Sequence, residues 1–283
     1  MSISSSALLL QLNISTWTGN KLDKNHTEKL IARTGAQTKA AKVYKDLMAG
    51  TTALKDVNNF AAGCRLWHNQ MTLPYEDRGN RICPTSLFMD YKQEYNLKRA
   101  QFKMMVSELK DNYSHLIRTA SNYMGELYDI RDYPTASEVE SKFDFELSVR
   151  PMPESGHFIL DIPAQDMQEL REQLDAENES RLKDASKEAW SRLYKLLKGM
   201  SDKLETVDGM DKRRWYDSFV DNPKELCSML THLNITKDPE LEDARKMLEG
   251  AMAGADIEVI KDSELERIKI KSDVDKILNK FNW

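Results

Sequence analysis

Cysteine, glycine and proline are all scarce in this sequence. Its 283 residues include only three cysteines, Cys64, Cys83 and Cys227, an odd number without a close pair. A disulfide scaffold is therefore excluded, and a reducing environment is indicated. With only 11 glycines and 8 prolines, the chain has few residues that interrupt regular structure, so we expect long regular segments.

Long apolar runs are also absent. The apolar run near the start of the chain covers only residues 7–10 and follows no basic segment, so it is too short for a signal peptide or a membrane span. Charged residues make up 31% of the chain and hydrophobic residues 40%, with a mean hydropathy of −0.62. These values are typical of soluble proteins. We expect a cytoplasmic protein that contacts no membrane.

The common phosphate-binding motifs are missing as well, since neither G-x-x-x-x-G-K-[ST] nor G-x-G-x-x-G occurs. Cys64 and His68 would share one face of a helix, and Cys83 could join them as a zinc ligand, but such a pair more often means a buried thiol beside an unrelated histidine. Glu76 and Asp77 could bind magnesium, although no second acidic cluster accompanies them. We expect no catalytic residue, metal or cofactor, and keep a metal-dependent nuclease as an alternative.

Charge is distributed unevenly along the chain. Residues 1–125 hold 17 lysines and arginines against 10 aspartates and glutamates, a net charge of +7, and the remaining residues carry −12. A basic half favours local attraction for polyanions, while the acidic half limits indiscriminate binding to duplex DNA. A solvated surface of uneven composition would give the same numbers, so charge alone does not decide the function.

Hydrophobic periodicity predicts a mainly α protein with a small β-hairpin. Apolar residues at helical spacing predict long helices at about 85–128 and 163–205. Between them, alternating residues predict a hairpin at about 143–162. The other predicted elements are a short strand at 8–17, helical segments within 24–62, a loop at 73–84, and helices at about 222–233, 238–253 and 272–281.

We expect these elements to form one elongated domain with long antiparallel helices, unlike the oligonucleotide-binding barrel. Its predicted regions are a basic amino-terminal half at about 1–125, the hairpin at about 143–162, a helical arm at about 163–205 and an acidic helical part at about 210–283. The helix-pairing spacing along the arm indicates a homo-oligomer.

Basic residues interleaved with aromatic ones are the candidate binding site. Single-stranded nucleic acid needs cations that follow the phosphates and rings on which bases stack, and it needs no reading of base edges. Lys39, Lys42 and Lys45 step by three, which predicts one helix face beside Tyr44. The predicted loop contributes Arg78 and Arg81. Along the first long helix, seven- and four-residue spacings predict a second basic stripe bordered by a ring, made of Lys92, Tyr95, Arg99, Lys103 and Lys110.

A different reading of the same residues leads to a different function. Aromatic residues at helical spacing are more often core, and lysines beside them often extend to water. The highly charged segment 171–184 is typical of a projecting arm. A helical scaffold or adaptor that binds a partner protein and not DNA is therefore the main alternative.

Three blocks of the sequence resemble a known family. They are MTLPYEDRGNRICPTSLFMDYKQEY, DYPTASEVESKFDFELSVRPMPESGHFILDIP and HLNITKDPELE. In these blocks the chain is similar to the Drc family, the single-stranded-DNA-binding RNA polymerase cofactors of the Schitoviridae bacteriophages, over about residues 7–250. The resemblance implies a mainly helical, non-catalytic protein in the cytoplasm of an infected bacterial host. It further implies binding to single-stranded DNA, support of a phage-encoded RNA polymerase in middle transcription, and a role in phage DNA replication.

Overall fold

The fold is mainly helical, as predicted. The computed structural model describes residues 6–37, 39–76, 79–153, 164–205 and 214–283. It is 67% helical, with a small antiparallel sheet. The helices are α1 (Lys24–Thr34), α2 (Ala53–Met71), α3 (Thr85–Asp111), α4 (Tyr113–Met124), α5 (Ala136–Glu140), α6 (Ala164–Leu204), α7 (Ser218–Leu233), α8 (Pro239–Ala251), α9 (Ile257–Asp262) and α10 (Glu264–Lys280). None of the described helices is both long and apolar enough to cross a membrane.

The described part of the chain also contains two short 3-10 helices, at Gly125–Leu127 and Ile130–Asp132, and six strands. The strands are β1 (Ala7–Ser15), β2 (Asn20–Leu22), β3 (Tyr44–Asp46), β4 (Leu73–Pro74), β5 (Arg81–Pro84) and β6 (Asp144–Pro151). One sheet has the order β4-β5-β1-β6, and β2 pairs with β3 in a separate two-stranded ribbon.

The prediction of a loop at 73–84 is wrong at both ends of this segment, where the structure has the strands β4 and β5. Leu73 lies opposite Ile82 in an antiparallel pair, and β5 continues the pairing with β1. Both of these side chains are fully buried. Burial of the two apolar residues and the backbone pairing with β1 override the turn-forming residues between them.

The chain forms two compact units, which we describe separately. Unit 1 comprises residues 1–11, 69–91 and 148–283, and unit 2 comprises residues 12–68 and 92–147. By sequence, unit 2 holds 17 lysines and arginines against 14 aspartates and glutamates, a net charge of +3. Unit 1 carries the remaining −8.

Unit 1 is organised around the carboxyl-terminal part of α6, the predicted second long helix. Leu193 and Leu197 are fully buried and pack with residues of α7, α8 and α10. Arg192 lies beside them and donates to the main-chain oxygens of Asn69, Gln70 and Thr72, at 2.8 Å in each case. These carbonyls at the end of α2 lack helical partners, and the guanidinium satisfies them.

Unit 2 has its own core, formed by buried residues that include Trp17, Leu54 and Leu116. The prediction of one continuous helix at 85–128 is wrong, because the structure has two helices there, α3 and α4, which are separated at Asn112. The side-chain amide of Asn112 donates to the main-chain oxygen of Glu108 at 2.8 Å. The backbone N–H of Asn112 donates to the same oxygen at 3.1 Å. An asparagine that binds the carbonyl one turn before it competes with regular helix hydrogen bonds.

The first strand of the predicted hairpin is confirmed as β6. In this strand the Phe145 side chain is buried and Val149 is 43% exposed, so only part of the alternation corresponds to burial. The predicted second strand falls within residues 154–163, which lie outside the described residues.

Candidate nucleic-acid interface

A basic segment of unit 2 surrounds helix α1. We call residues 20–46 the basic lobe: it contains β2, α1, the following turn and β3. The lobe contains seven lysines and arginines and three acidic residues, so its net charge is +4. The ribbon that closes it is antiparallel, with Lys21 opposite Lys45 and Leu22 opposite Tyr44.

Asp23 fixes the start of α1 inside this lobe. Its carboxylate accepts the backbone N–H of His26 at 2.9 Å and contacts the His26 ring nitrogen Nδ1 at 2.8 Å. The backbone N–H of Asp23 donates to the oxygen of Val43 at 2.9 Å, which joins the helix start to the segment before β3. The hydrogen bond from the His26 backbone is the main cause that lowers the pKa of Asp23, so this helix cap stays charged at neutral pH.

Helix α1 buries none of its side chains. It ends at Gly35, whose left-handed φ of 63° closes the helix as a glycine readily does. Ordinary surface helices bury one apolar stripe, so α1 depends on its cap and on the ribbon for its position. Its exposed cations Lys24, Lys29 and Arg33 are therefore available to a ligand, while Thr27 and Ile31 on the same helix are half-buried.

The prediction that Lys39, Lys42 and Lys45 share one helix face is wrong. Lys39 lies in a turn with a positive φ of 79°, Lys42 lies in an irregular segment, and Lys45 is in β3. The end of α1 at Gly35 and the return of the backbone to Asp23 prevent a further helix. A spacing of three residues places side chains on one face only in a helix, and this segment is not helical.

The three lysines also differ in availability. The Lys45 ammonium lies 2.9 Å from a carboxylate oxygen of Asp132 and 3.7 Å from one of Asp23, and its side chain is only 16% exposed. The hydrogen bond to Asp132 raises the pKa of Lys45. Lys45 therefore holds unit 2 together, whereas Lys39 and Lys42 are exposed and form no ion pair within the described ranges.

Other side chains of the basic lobe extend this exposed surface. Tyr44 is 55% exposed, next to Lys42 and opposite Leu22 in the ribbon. Among the described residues, four further lobe cations are exposed and have no ion pair: Lys21, Lys24, Lys29 and Arg33. The lobe thus combines six available cations with an accessible ring.

Helix α3 carries the second predicted stripe. Arg99 and Lys103 are exposed and form no ion pair in the part of unit 2 that is described. The Lys92 ammonium lies 4.7 Å from the centre of the Tyr95 ring. Lys110 is different, because Glu140 lies 2.7 Å from its ammonium and raises its pKa. The stripe therefore offers three cations rather than four.

The ring predicted to border this stripe is not accessible. Tyr95 is 4% exposed, its hydroxyl donates to the oxygen of Phe145 at 3.4 Å, and the two rings lie 5.6 Å apart. Burial raises the pKa of Tyr95. The prediction that bases stack on Tyr95 is therefore wrong. Its helical spacing is that of a residue in the core of unit 2. Carboxylates also lie near the stripe, since Glu140 and Asp144 line the groove that contains Lys103.

The two arginines of the predicted loop do not extend the surface. Arg78 lies outside the described residues. Arg81 is half-buried and donates to the hydroxyl of Thr72 at 2.7 Å and to its main-chain oxygen at 3.1 Å. Burial, together with the nearby Arg192, lowers the pKa of Arg81 to about 10. Its contacts are those of a residue that stabilises unit 1.

The residues considered for a metal are dispersed or buried. Cys64 and His68 are both buried in α2, and burial raises the pKa of the Cys64 thiol. Within the described ranges, no group of three or more histidine, cysteine and acidic side chains could hold a metal ion. Glu76 is exposed, and Asp77 lies outside the described residues.

Comparison of the chain with protein-family models, curated proteins and solved structures finds no match.

Proposed function

We propose that this chain is a non-catalytic protein that binds single-stranded DNA through the basic lobe of unit 2. Its six exposed cations and the accessible ring of Tyr44 are the observation that carries the proposal. Ammonium and guanidinium groups neutralise phosphates, and a ring stacks on a base without selecting its identity. The resemblance of the chain to the Drc family agrees with this assignment.

Single strands are preferred in this proposal because of the ring. A base can stack on Tyr44 only where it is not already stacked between its neighbours in a duplex. The three available cations of α3, Lys92, Arg99 and Lys103, would add attraction for phosphate within the same unit. They are secondary, because Glu140 and Asp144 lie beside Lys103.

The wider role that we propose is that of a cofactor of a phage-encoded RNA polymerase, which would keep melted promoter DNA single-stranded, with a further use in DNA replication. In this account the acidic unit 1, with a net charge of −8, contacts the polymerase or another copy of the chain. The excess of acidic groups limits extended contact between unit 1 and the DNA backbone and leaves most of its surface free for protein contacts.

A retention and cleavage assay tests the proposal. Labelled single-stranded and duplex DNA of one sequence are incubated with the full chain and magnesium or manganese. We expect the single strand to be retained intact. Cleavage would support the nuclease alternative instead, and neither retention nor cleavage would support the scaffold. Retention of the polymerase encoded by the same phage on the immobilised chain tests the cofactor role.

One observation favours the scaffold as second candidate. Leu265 and Ile268 of α10 are 80% and 51% exposed, and Val259 of α9 is 50% exposed. Exposed apolar side chains in neighbouring helices are typical of protein contact surfaces. A chain that binds a partner protein through these helices and retains no DNA would establish that function in place of ours.

A further inference from the structure

Four aromatic side chains of unit 1 form one cluster, away from the basic lobe in sequence. The Trp190 ring centre lies 5.7 Å from that of Phe281 and 5.3 Å from that of Trp283, and Tyr194 lies 5.4 Å from Trp283. Trp190 and Tyr194 are one helical turn apart in α6, so they share a face. The sequence places the other two rings directly after α10.

Hydrogen bonds hold this cluster in place. The Trp190 indole N–H donates to a carboxylate oxygen of Asp238 at 2.9 Å, and the other oxygen of Asp238 caps α8. The Trp283 indole N–H donates to the main-chain oxygen of Leu278 at 2.8 Å. Both indoles are therefore already positioned by bonds at their edges, which lowers the ordering cost of binding a ligand.

Beside the rings is a cavity of about 430 Å³, which we call the aromatic pocket. Its lining residues are Lys187, Trp190, Ser191, Tyr194, Asn282 and Trp283. The volume lies within the range of about 300–1,000 Å³ that is usual for small-ligand sites. Tyr194 and Trp283 are 38% and 40% exposed, so a ligand can reach their rings from solvent.

The charges around the pocket restrict the ligand class. Lys187 lines it, and its side chain is 76% exposed. Its partner Asp184 is 65% exposed and lies 2.8 Å from the ammonium group. An exposed pair of this kind contributes about 0–1 kcal/mol, so the Lys187 ammonium group can leave Asp184 and contact a phosphate at little cost.

We propose that the aromatic pocket binds an unstacked nucleobase of single-stranded DNA, with a neighbouring phosphate at Lys187. A purely apolar ligand would not use the Lys187 ammonium group. Asn282 and Ser191 supply an amide and a hydroxyl that can hydrogen-bond a base edge. The inference rests on the proposed function, because it adds a second base-contacting site in unit 1.

The test uses the full chain and two variants. Tyr194→Ala removes a ring that is partly exposed, and Tyr216→Ala removes another exposed tyrosine of unit 1, outside the pocket. Affinity is measured for a thymidine oligonucleotide and for an abasic strand of equal length. We expect Tyr194→Ala to weaken thymidine binding by about 5- to 100-fold and to leave abasic binding unchanged. Tyr216→Ala should change neither.

Photocrosslinking adds a readout that does not depend on affinity. Single strands that contain 5-iodouracil should crosslink to the peptides with Tyr194 or Trp283 in the wild-type chain. Equal thymidine affinity of wild type and Tyr194→Ala, together with crosslinks only elsewhere, would overturn the pocket inference while the proposed function stands. If the wild-type chain retained no single strand at all, the proposed function and the inference would both be overturned.

Discussion

Removal of three lysines from the basic lobe tests which part of the chain contacts phosphate. Lys29, Lys39 and Lys42 are exposed and form no ion pair within the described part of unit 2. Replacement of all three by glutamine should therefore leave the fold intact. Glutamine also resembles lysine in helix propensity, so Lys29→Gln does not weaken α1.

The size of the effect follows from counterion release. Each phosphate neutralised on a single strand adds about 0.7 to the slope of log affinity against log salt. Loss of three such contacts lowers the slope by about 2, which corresponds to about 100-fold weaker binding at 0.1 M salt and to almost no difference at 1 M. A smaller change in slope would give the number of the three lysines that contact phosphate.

The assay is fluorescence anisotropy with a labelled thymidine oligonucleotide across a salt series. A matched control removes the same charge from unit 1, where Lys183, Lys246 and Lys269 are 68%, 63% and 69% exposed. That variant should keep most of the wild-type slope. Equal slopes in the wild-type chain and in the lobe variant would refute our assignment of the basic lobe, and equal losses in both variants would mean that only net charge matters.

Four further predictions concern the stability of the fold. Replacement of Arg192 by methionine removes the donor to the main-chain oxygen of Gln70, while Arg81 still donates to those of Asn69 and Thr72, and urea unfolding should show a loss of about 1–3 kcal/mol; an unchanged midpoint would contradict its capping role. Gly50→Ala would bring a Cβ into the ring of Tyr123 at a φ of +76°, so we expect the free energy of unfolding to fall by at least about 1–2 kcal/mol. The Cβ of Gly63→Ala in α2 meets open space, so this variant should gain about 0.5–1 kcal/mol in free energy of unfolding in the same measurement. A Gly63→Ala variant that is less stable than Gly50→Ala would contradict the described packing. Because the pKa of Asp23 is lowered in the folded chain, its charge stabilises the fold above the unfolded pKa of about 4, and this contribution is lost as pH falls through the folded value. Asp23→Asn, which can still cap α1, should be less stable than wild type at pH 7, and the difference should narrow at pH 3; a constant difference would contradict the ionic role.

Where long apolar patterns exist, the sequence was a reliable guide to the fold. The sequence predicts α6 at about 163–205, and the helix spans Ala164–Leu204. From Ala185 onward its apolar seam has a core to bury against. The division of α3 from α4 was missed, since it depends on the bond from Asn112 to Glu108. A side-chain hydrogen bond of this kind leaves no trace in hydrophobic periodicity.

The candidate site was harder to predict than the fold. Charge and ring patterns identified the region of Lys39, Lys42 and Tyr44, but spacing assigned it to a helix that does not form. Spacing also could not tell an exposed ring from a core ring, and Tyr95 proved to be core. The ion pair of Lys45 with Asp132 joins residues 87 positions apart, and only the tertiary structure brings such partners together.

The aromatic pocket was missed for a similar reason. The sequence contains a local signal, because Trp190 and Tyr194 are four residues apart within α6. Their partner Trp283 lies far along the chain, and rings at helical spacing are ordinarily expected to be core. The partial exposure of Tyr194 and Trp283 is a property of the folded unit alone.

Competition between single-stranded and duplex DNA of one sequence, measured with the wild-type chain over a series of salt concentrations, tests the central claim most directly. Our account predicts that the single strand is bound more tightly at every salt concentration, with log affinity falling by about 0.7 per neutralised phosphate for each unit of log salt. Equal or tighter binding of the duplex, or affinity that does not change with salt, would contradict it.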